Sequence, residues 1–233
     1  MAGDEKPSKR TYTRRDFVVG GGGILASGAL TACAGAPAEA GEEKTYARSA
    51  GYLVYDSRLC SGCQSCMLAC SMVHEGEACL SLSRIQVSRA VLTRYPYDIQ
   101  IAVCRQCPQP LCVMQCPTGA CHVSEAFGNV RRIDPDRCIG CQACIRACPH
   151  RPHRTVWNPV TGKSAKCDLC ADAPWLDGKG GPDGVQACVS VCPMGALRLV
   201  GDLPSQADIG GYDVDLGPRP ARSPDGAVPE AEP

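Results

Sequence analysis

Sixteen of the chain's 19 cysteines fall into four groups of nearly fixed internal spacing. Group one is Cys60-x2-Cys63-x2-Cys66-x3-Cys70, and group two is Cys104-x2-Cys107-x4-Cys112-x3-Cys116-Pro117. Group three is Cys138-x2-Cys141-x2-Cys144-x3-Cys148-Pro149, and group four is Cys167-x2-Cys170-x17-Cys188-x3-Cys192-Pro193. Thiols two residues apart on a tight loop converge on one metal centre and make poor disulfide partners for a scaffold. Zinc uses Cys-x2-Cys pairs as well. Four-cysteine runs repeated four times, three of them ending in Cys-Pro, point instead to iron-sulfur clusters. Two Phe and two Trp are too few for an aromatic-rich core, so the metal has to serve as the staple.

Groups one and three have the spacing of bacterial ferredoxins, in which the fourth cysteine ligates the neighbouring cluster. Groups therefore work in pairs. The 21 residues between Cys116 and Cys138 favour pairing two with three and one with four, although the short gap between Cys148 and Cys167 leaves three with four open. Between the groups, Gly51 to Asp56, Asn129 to Ile133 and Ala196 to Val200 read as short strands. Ile85 to Val91 and Asp98 to Val103 alternate apolar and polar residues, as a hairpin does. With no long amphipathic helix in view, the expected fold class is α+β. It consists of tandem bacterial-ferredoxin-like units in a pseudo-twofold arrangement, with short helices and strands around four 4Fe-4S clusters.

The ends read differently. Lys6, Lys9 and Arg10 precede Thr13-Arg14-Arg15-Asp16-Phe17-Val18, which resembles a twin-arginine export signal. The apolar stretch that follows is about 16 residues long and glycine-rich, too short for a comfortable bilayer span. Leu30-Thr31-Ala32-Cys33 looks like a lipobox, with Cys33 as the acylated residue, although Ala34-Gly35-Ala36 also offers an ordinary cleavage site. The expected division is a signal over 1–33, a flexible tether over 34–50, the four-cluster domain over 51–200 and a disordered acidic Pro/Gly-rich tail over 201–233. Export to the periplasm or the outer face of the cell membrane, with a lipid anchor, is the expectation. The formal net charge is +0, and no basic run with interleaved aromatics marks a nucleic-acid surface.

Cys104-Arg-Gln-Cys-Pro-Gln-Pro-Leu-Cys112 and Cys116-Pro-Thr-Gly-Ala120 make the resemblance specific. Over roughly 51–200 the chain resembles the four-cluster electron-transfer subunits of dimethyl sulfoxide reductase-type molybdenum and tungsten enzymes. Met67 to Gly76 with Ser83-Arg84-Ile85 looks most like small subunits accompanying aldehyde-oxidising tungsten enzymes and related hydrogenase partners. The resemblance implies nested ligand sets: Cys60, Cys63, Cys66 with Cys192; Cys167, Cys170, Cys188 with Cys70; Cys104, Cys107, Cys112 with Cys148; and Cys138, Cys141, Cys144 with Cys116. It further implies a molybdenum or tungsten catalytic partner, a quinone-interacting membrane subunit or another acceptor, and no catalysis by this chain alone. A free-standing polyferredoxin or a hydrogenase-linked carrier is the alternative. Ser71 departs from the pattern where proline follows the other groups, and so does the insert 171–187, read as a flexible loop.

Cys79 and Cys121 lie outside the groups and read as buried thiols. His74 reads as structural. His150-Arg151-Pro152-His153-Arg154, directly after Cys148-Pro149, reads as a solvated loop or as positive charge near a cluster.

Overall fold

A computed structural model describes residues 45–95, 97–207 and 211–217. The twin-arginine segment, Cys33, the tether as far as residue 44 and the tail from 218 lie outside the described residues.

The elements are short and mixed. Strand β1 (Tyr52–Tyr55) is followed by helix α1 (Ser65–Glu75), then β2 (Gln86–Arg89) and β3 (Ile99–Ala102). Next come α2 (Leu111–Met114), β4 (Cys121–Ser124), β5 (Val130–Ile133) and α3 (Ala143–Arg146). The chain continues through β6 (Thr155–Asn158), β7 (Lys163–Lys166), α4 (Ala187–Val191) and β8 (Leu197–Val200). Three antiparallel hairpins, β2–β3, β4–β5 and β6–β7, are sequential. The fourth sheet is not: β1 pairs antiparallel with β8, Tyr52 opposite Val200 and Tyr55 opposite Leu197. That ladder ties the two ends of the cysteine-rich region together.

Two-stranded sheets are marginal by themselves and need a shared apolar face. Here five of the sixteen residues of that face are cysteines. The main buried cluster joins Leu53, Ile85, Val87, Ile101, Val130, Leu169 and Leu197 to Cys66, Cys70, Cys104, Cys167 and Cys188. Helix α1 shows why the sequence conceals this. Its buried stripe is Cys66, Met67, Cys70, Ser71 and His74. The spacing is helical, but four of the five residues are Cys, Ser or His rather than the usual core formers. The helix stops at Gly76, whose φ of 74° is left-handed and whose N–H donates to Met72 O.

Three regions differ from expectation. Residues 47–50, assigned to the tether, are anchored: Ala50 N–H donates to Gly128 O (2.8 Å), and Ala47 O accepts from Arg131 (2.7 Å). Residues 211–217, assigned to the tail, pack on β1. Tyr212 is buried at 3% exposure, meets Tyr52 edge-on, and its hydroxyl donates to Arg105 O (2.9 Å). Asp213 and Asp215 take up Ser57 N–H and Arg58. One aromatic side chain in a Pro/Gly-rich stretch suffices when a pocket awaits it. The insert 171–187 is also folded. Gly181 N–H donates to Leu169 O (3.0 Å), Val185 N–H to Lys179 O (2.7 Å) and Gln186 Nε2 to Gly181 O (2.6 Å). Its glycines serve close packing: a Cβ on Gly180 would sit 1.8 Å from Cys170 O.

Candidate iron-sulfur centres

All four cysteine loops turn in the same way. The residue just before the second cysteine is left-handed each time: Gly62 (φ 67°), Gln106 (φ 49°), Gly140 (φ 72°) and Leu169 (φ 59°). Left-handed backbone turns the chain tightly enough to aim the flanking thiols at one centre. Glycine adopts it without cost. At Gly140 it is also required for space, since a Cβ would meet Gly162 O at 2.2 Å. Gln106 and Leu169 carry the strain instead and are completely buried. Gln106 is held in place by its amide, which accepts from Arg131 N–H (2.6 Å) and donates to Cys167 O (2.9 Å). It thereby connects the loop of group two to that of group four. In groups one and three a second left-handed residue, Gln64 (φ 62°) or Gln142 (φ 57°), caps the helix carrying Cys66 and Cys70 or Cys144.

Two cavities open among the thiols. Cys60, Cys63, Cys66 and Cys192 line the first, about 340 Å³ including space open to solvent, with Val87, Ile101 and Leu197. Cys104, Cys107, Cys112 and Cys148 line the second, about 370 Å³ on the same measure, with Arg105, His150, Arg154 and Lys166. Elsewhere Cys70 lies within electrostatic reach of Cys170 and Cys188. Cys144 is similarly close to Cys138 and Cys116, while Cys141 is exposed on the same loop. Cys70 of group one thus lies near group four and Cys116 of group two near group three, while Cys104 of group two also lies near Cys167 of group four. Among the described residues every cysteine is a free thiol, and no three His, Cys, Asp or Glu side chains converge closely enough to hold a single metal ion. Thiols ranged around a space suit a polynuclear iron-sulfur core, which fills that space and keeps its four ligands apart.

The fourth cysteine of each group shares a feature invisible in the spacing. Each sulfur accepts one backbone N–H: Cys70 from Arg84 (3.3 Å), Cys116 from Cys121 (3.2 Å), Cys148 from Arg154 (3.4 Å) and Cys192 from Ala196 (3.3 Å). Cys60 and Cys104 accept from Gly62 (3.4 Å) and Gln106 (3.5 Å). Such bonds disperse charge on a thiolate and are among the levers that set a cluster's potential.

Burial raises thiols in both cavities, Cys107 of the second up to about 11, and Cys112 is the exception. In the first, burial together with the neighbouring Cys60, Cys192 and Cys63 pushes the Cys66 thiol up to about 12. Burial likewise raises Cys60. In the second, the Cys112 thiol is lowered, through its hydrogen bond with Cys121 and, against burial, the nearby Lys166. Lys166 Nζ lies 3.5 Å from Cys112 Sγ, and His150 Nε2 lies 3.4 Å from Cys107 Sγ. A third arrangement connects α1 to group four. His74 contacts Cys70 O through Nδ1 (2.8 Å) and Asp168 through Nε2 (3.0 Å), and Arg84 donates to the other Asp168 oxygen (2.7 Å). Burial opposes a charge on His74, but Asp168 and Cys70 lift it to about 9. Burial would raise Asp168, yet Arg84 and His74 hold it well below the carboxylate range.

His74 is therefore a structural strut, although one set against a cysteine of the site. Cys121 is buried, hydrogen-bonded to Cys112, and sends its N–H to Cys116. Cys79 lies elsewhere, with its N–H on Ser71 Oγ (3.0 Å). Sequence reasoning passed over Lys166 and Gln106. Lys166 had one readable signal, its place directly before Cys167. Gln106 had none.

Comparison with known proteins gives the same chemistry. A family model described as a 4Fe-4S dicluster domain matches residues 95–202, and one described as a 4Fe-4S binding domain matches 58–73. The thiosulfate reductase electron transfer subunit PhsB of Salmonella typhi is 34% identical over 63% of this chain and 73% of its own. Protein NrfC of Escherichia coli K12 is 34% identical over 81% of this chain and 80% of its own. The ferredoxin-like protein YdhX of the same strain is 32% identical over 80% of this chain and 79% of its own. With its thiol-lined cavities, its cysteine-rich core and these relatives, the chain belongs to the family of 4Fe-4S ferredoxin-type electron-transfer subunits.

Proposed function

We propose that the chain holds four 4Fe-4S clusters in nested sets: Cys60/Cys63/Cys66/Cys192, Cys167/Cys170/Cys188/Cys70, Cys104/Cys107/Cys112/Cys148 and Cys138/Cys141/Cys144/Cys116. It relays electrons between a molybdenum or tungsten catalytic subunit and a quinone-linked membrane subunit or another redox partner, and performs no substrate chemistry itself. The observation that carries this reading is the meeting of Cys192 with Cys60, Cys63 and Cys66 around one cavity, across a gap spanning the whole domain. The β1–β8 ladder is its backbone counterpart, and the tandem pseudo-twofold arrangement follows from the same exchange.

When bound, each cluster supplies reversible one-electron exchange at a potential set by its surroundings. The protein's part is to hold and insulate. Cysteines fix the position, backbone N–H groups share the charge on the sulfurs, and Val87, Ile101 and Leu197 give the first cavity an apolar wall. The relative named as a thiosulfate reductase electron transfer subunit supports a reductase complex as the setting.

Twin-arginine export of the loaded protein, with Cys33 lipidated, belongs to the same reading. Changing Arg14 and Arg15 together to Lys should leave cofactor-loaded protein in the cytoplasm; unchanged export rejects the assignment. Cys33→Ala should release the mature protein from membranes, and unaltered membrane association rejects the anchor. Purification from the native membrane fraction tests the relay: a co-purifying molybdenum- or tungsten-containing subunit is expected, and a lone iron-sulfur species would favour a free-standing carrier.

A further inference from the structure

Lys166 is a buried lysine without a carboxylate partner. It ends β7, whose Ser164 and Lys166 are buried, and is 4% exposed. Among the described residues the six ion pairs use Asp56, Glu75, Asp168, Asp172 and Asp215, never a carboxylate against Lys166. An ammonium taken out of water and left uncompensated costs several kcal/mol by order of magnitude. The anionic groups available to it are sulfurs: Cys112 Sγ at 3.5 Å, with Cys104 and Cys121 close by. Arg105, also at this cavity, stacks its guanidinium over the Tyr212 ring at 4.4 Å. The first cavity has no Lys, Arg, His, Asp or Glu in its lining, and the cation that acts on its Cys60, Arg89, is solvent-exposed.

We propose that Lys166 is a positioning residue for electrons: its charge, held against Cys112, sets the cluster on Cys104, Cys107, Cys112 and Cys148 at a higher potential than the cluster on Cys60, Cys63, Cys66 and Cys192. The inference rests on the four-cluster reading above. Each arriving electron adds one negative charge beside Cys112 while no bond is made or broken, so a fixed cation 3.5 Å away favours the reduced state. The cluster so favoured is where an electron rests between donor and acceptor. Lys166 also directly precedes Cys167 in the chain, whose carbonyl binds Gln106. It therefore sits where the loops of groups two and four meet.

The test is a paramagnetic-resonance redox titration of the anaerobically isolated, iron-loaded chain, as wild type, Lys166→Met and Lys166→Arg. Iron and sulfide analysis comes first; if the wild type lacks four clusters, the parent reading fails and is seen to fail before any titration. With four present, Lys166→Met should weaken reduction of one cluster about tenfold, a fall of about 59 mV for one electron. The iron content should not change, and the other three steps should move less, the one of the neighbouring Cys167 set more than the remaining two. The affected step should be the one lost in Cys148→Ser, and Lys166→Arg should stay close to wild type. The proposal is overturned if Lys166→Met leaves all midpoints in place or if Lys166→Arg falls as far as Lys166→Met. It is equally overturned if Lys166→Met loses a cluster that Lys166→Arg retains, since Lys166 would then be a structural strut.

Discussion

The two thiol-lined cavities have the same four-cysteine frame, yet their walls differ. Around Cys60, Cys63, Cys66 and Cys192 the lining is Val87, Ile101, Met194, Ala196, Leu197 and small polar residues. Around Cys104, Cys107, Cys112 and Cys148 it includes Arg105, His150, Arg154 and Lys166. The cysteine spacing determines what can be held. The residues between the cysteines determine how willingly it accepts an electron. One fold can thus repeat a binding loop four times and still give the sites different potentials, because the loop backbone and the loop wall are set by different residues.

The most drastic way to break the comparison is to remove what both cavities hold. Five cysteines are buried in the main apolar cluster, and ions bound only by the folded chain lend it their binding energy. Stripping iron with a chelator under mild oxidation should abolish cooperative unfolding, followed by near-ultraviolet circular dichroism on heating. A well-packed apoprotein with a sharp transition would mean that the core stands without metal.

Exchanged cysteines come next. Cys192→Ser should remove or convert the cluster of Cys60, Cys63 and Cys66 and leave the magnetic coupling of the Cys104 and Cys138 sites intact. Disturbance of the cluster on Cys138, Cys141 and Cys144 would instead mean sequential pairing. A third substitution makes the cavities more alike. Met194→Lys puts a cation into the uncharged wall and should favour reduction there by up to about tenfold, roughly 59 mV upward. An unmoved midpoint would show that wall charge does not govern these sites.

The smallest expected effects are on stability. Gln106→Ala leaves Arg131 N–H and Cys167 O without their partner. The loss should be about 2–6 kcal/mol in denaturant unfolding of the iron-loaded chain, at about 1–3 kcal/mol for each buried group left unpaired. Tyr212→Phe removes the hydroxyl that bonds Arg105 O, a loss of about 1 kcal/mol. A Tyr212→Phe protein as stable as wild type would mean that 211–217 contributes by packing alone.

What could be read in advance follows a physical line. The cysteine groups, the β2–β3 hairpin and the short strands at 52–55, 130–133 and 197–200 were legible because ligand spacing and period-two alternation are local. The β1–β8 ladder was not, since strand pairing across the whole domain leaves no local trace. Helix α1 was concealed because its inward stripe is Cys66, Cys70 and His74 rather than leucine. Residues 47–50 and 211–217 were misread because composition reports average tendency. A single Tyr212 seated against Tyr52 and Arg105 overrides it. At the candidate centres, loop membership could be read from sequence. The left-handed Gln106 and Leu169, the N–H bonds to the fourth cysteines and the placing of Lys166 against Cys112 depend on three-dimensional neighbours.

The central claim is that sixteen grouped cysteines hold four cubane clusters. Iron and acid-labile sulfide measured on the anaerobically purified chain, at known protein concentration, test it directly. The expected result is about 16 of each per chain, four for each cysteine set, with cubane-type paramagnetic signals on reduction. Stoichiometric zinc without sulfide, or about half that iron with two cysteine sets remaining as free thiols, would contradict it.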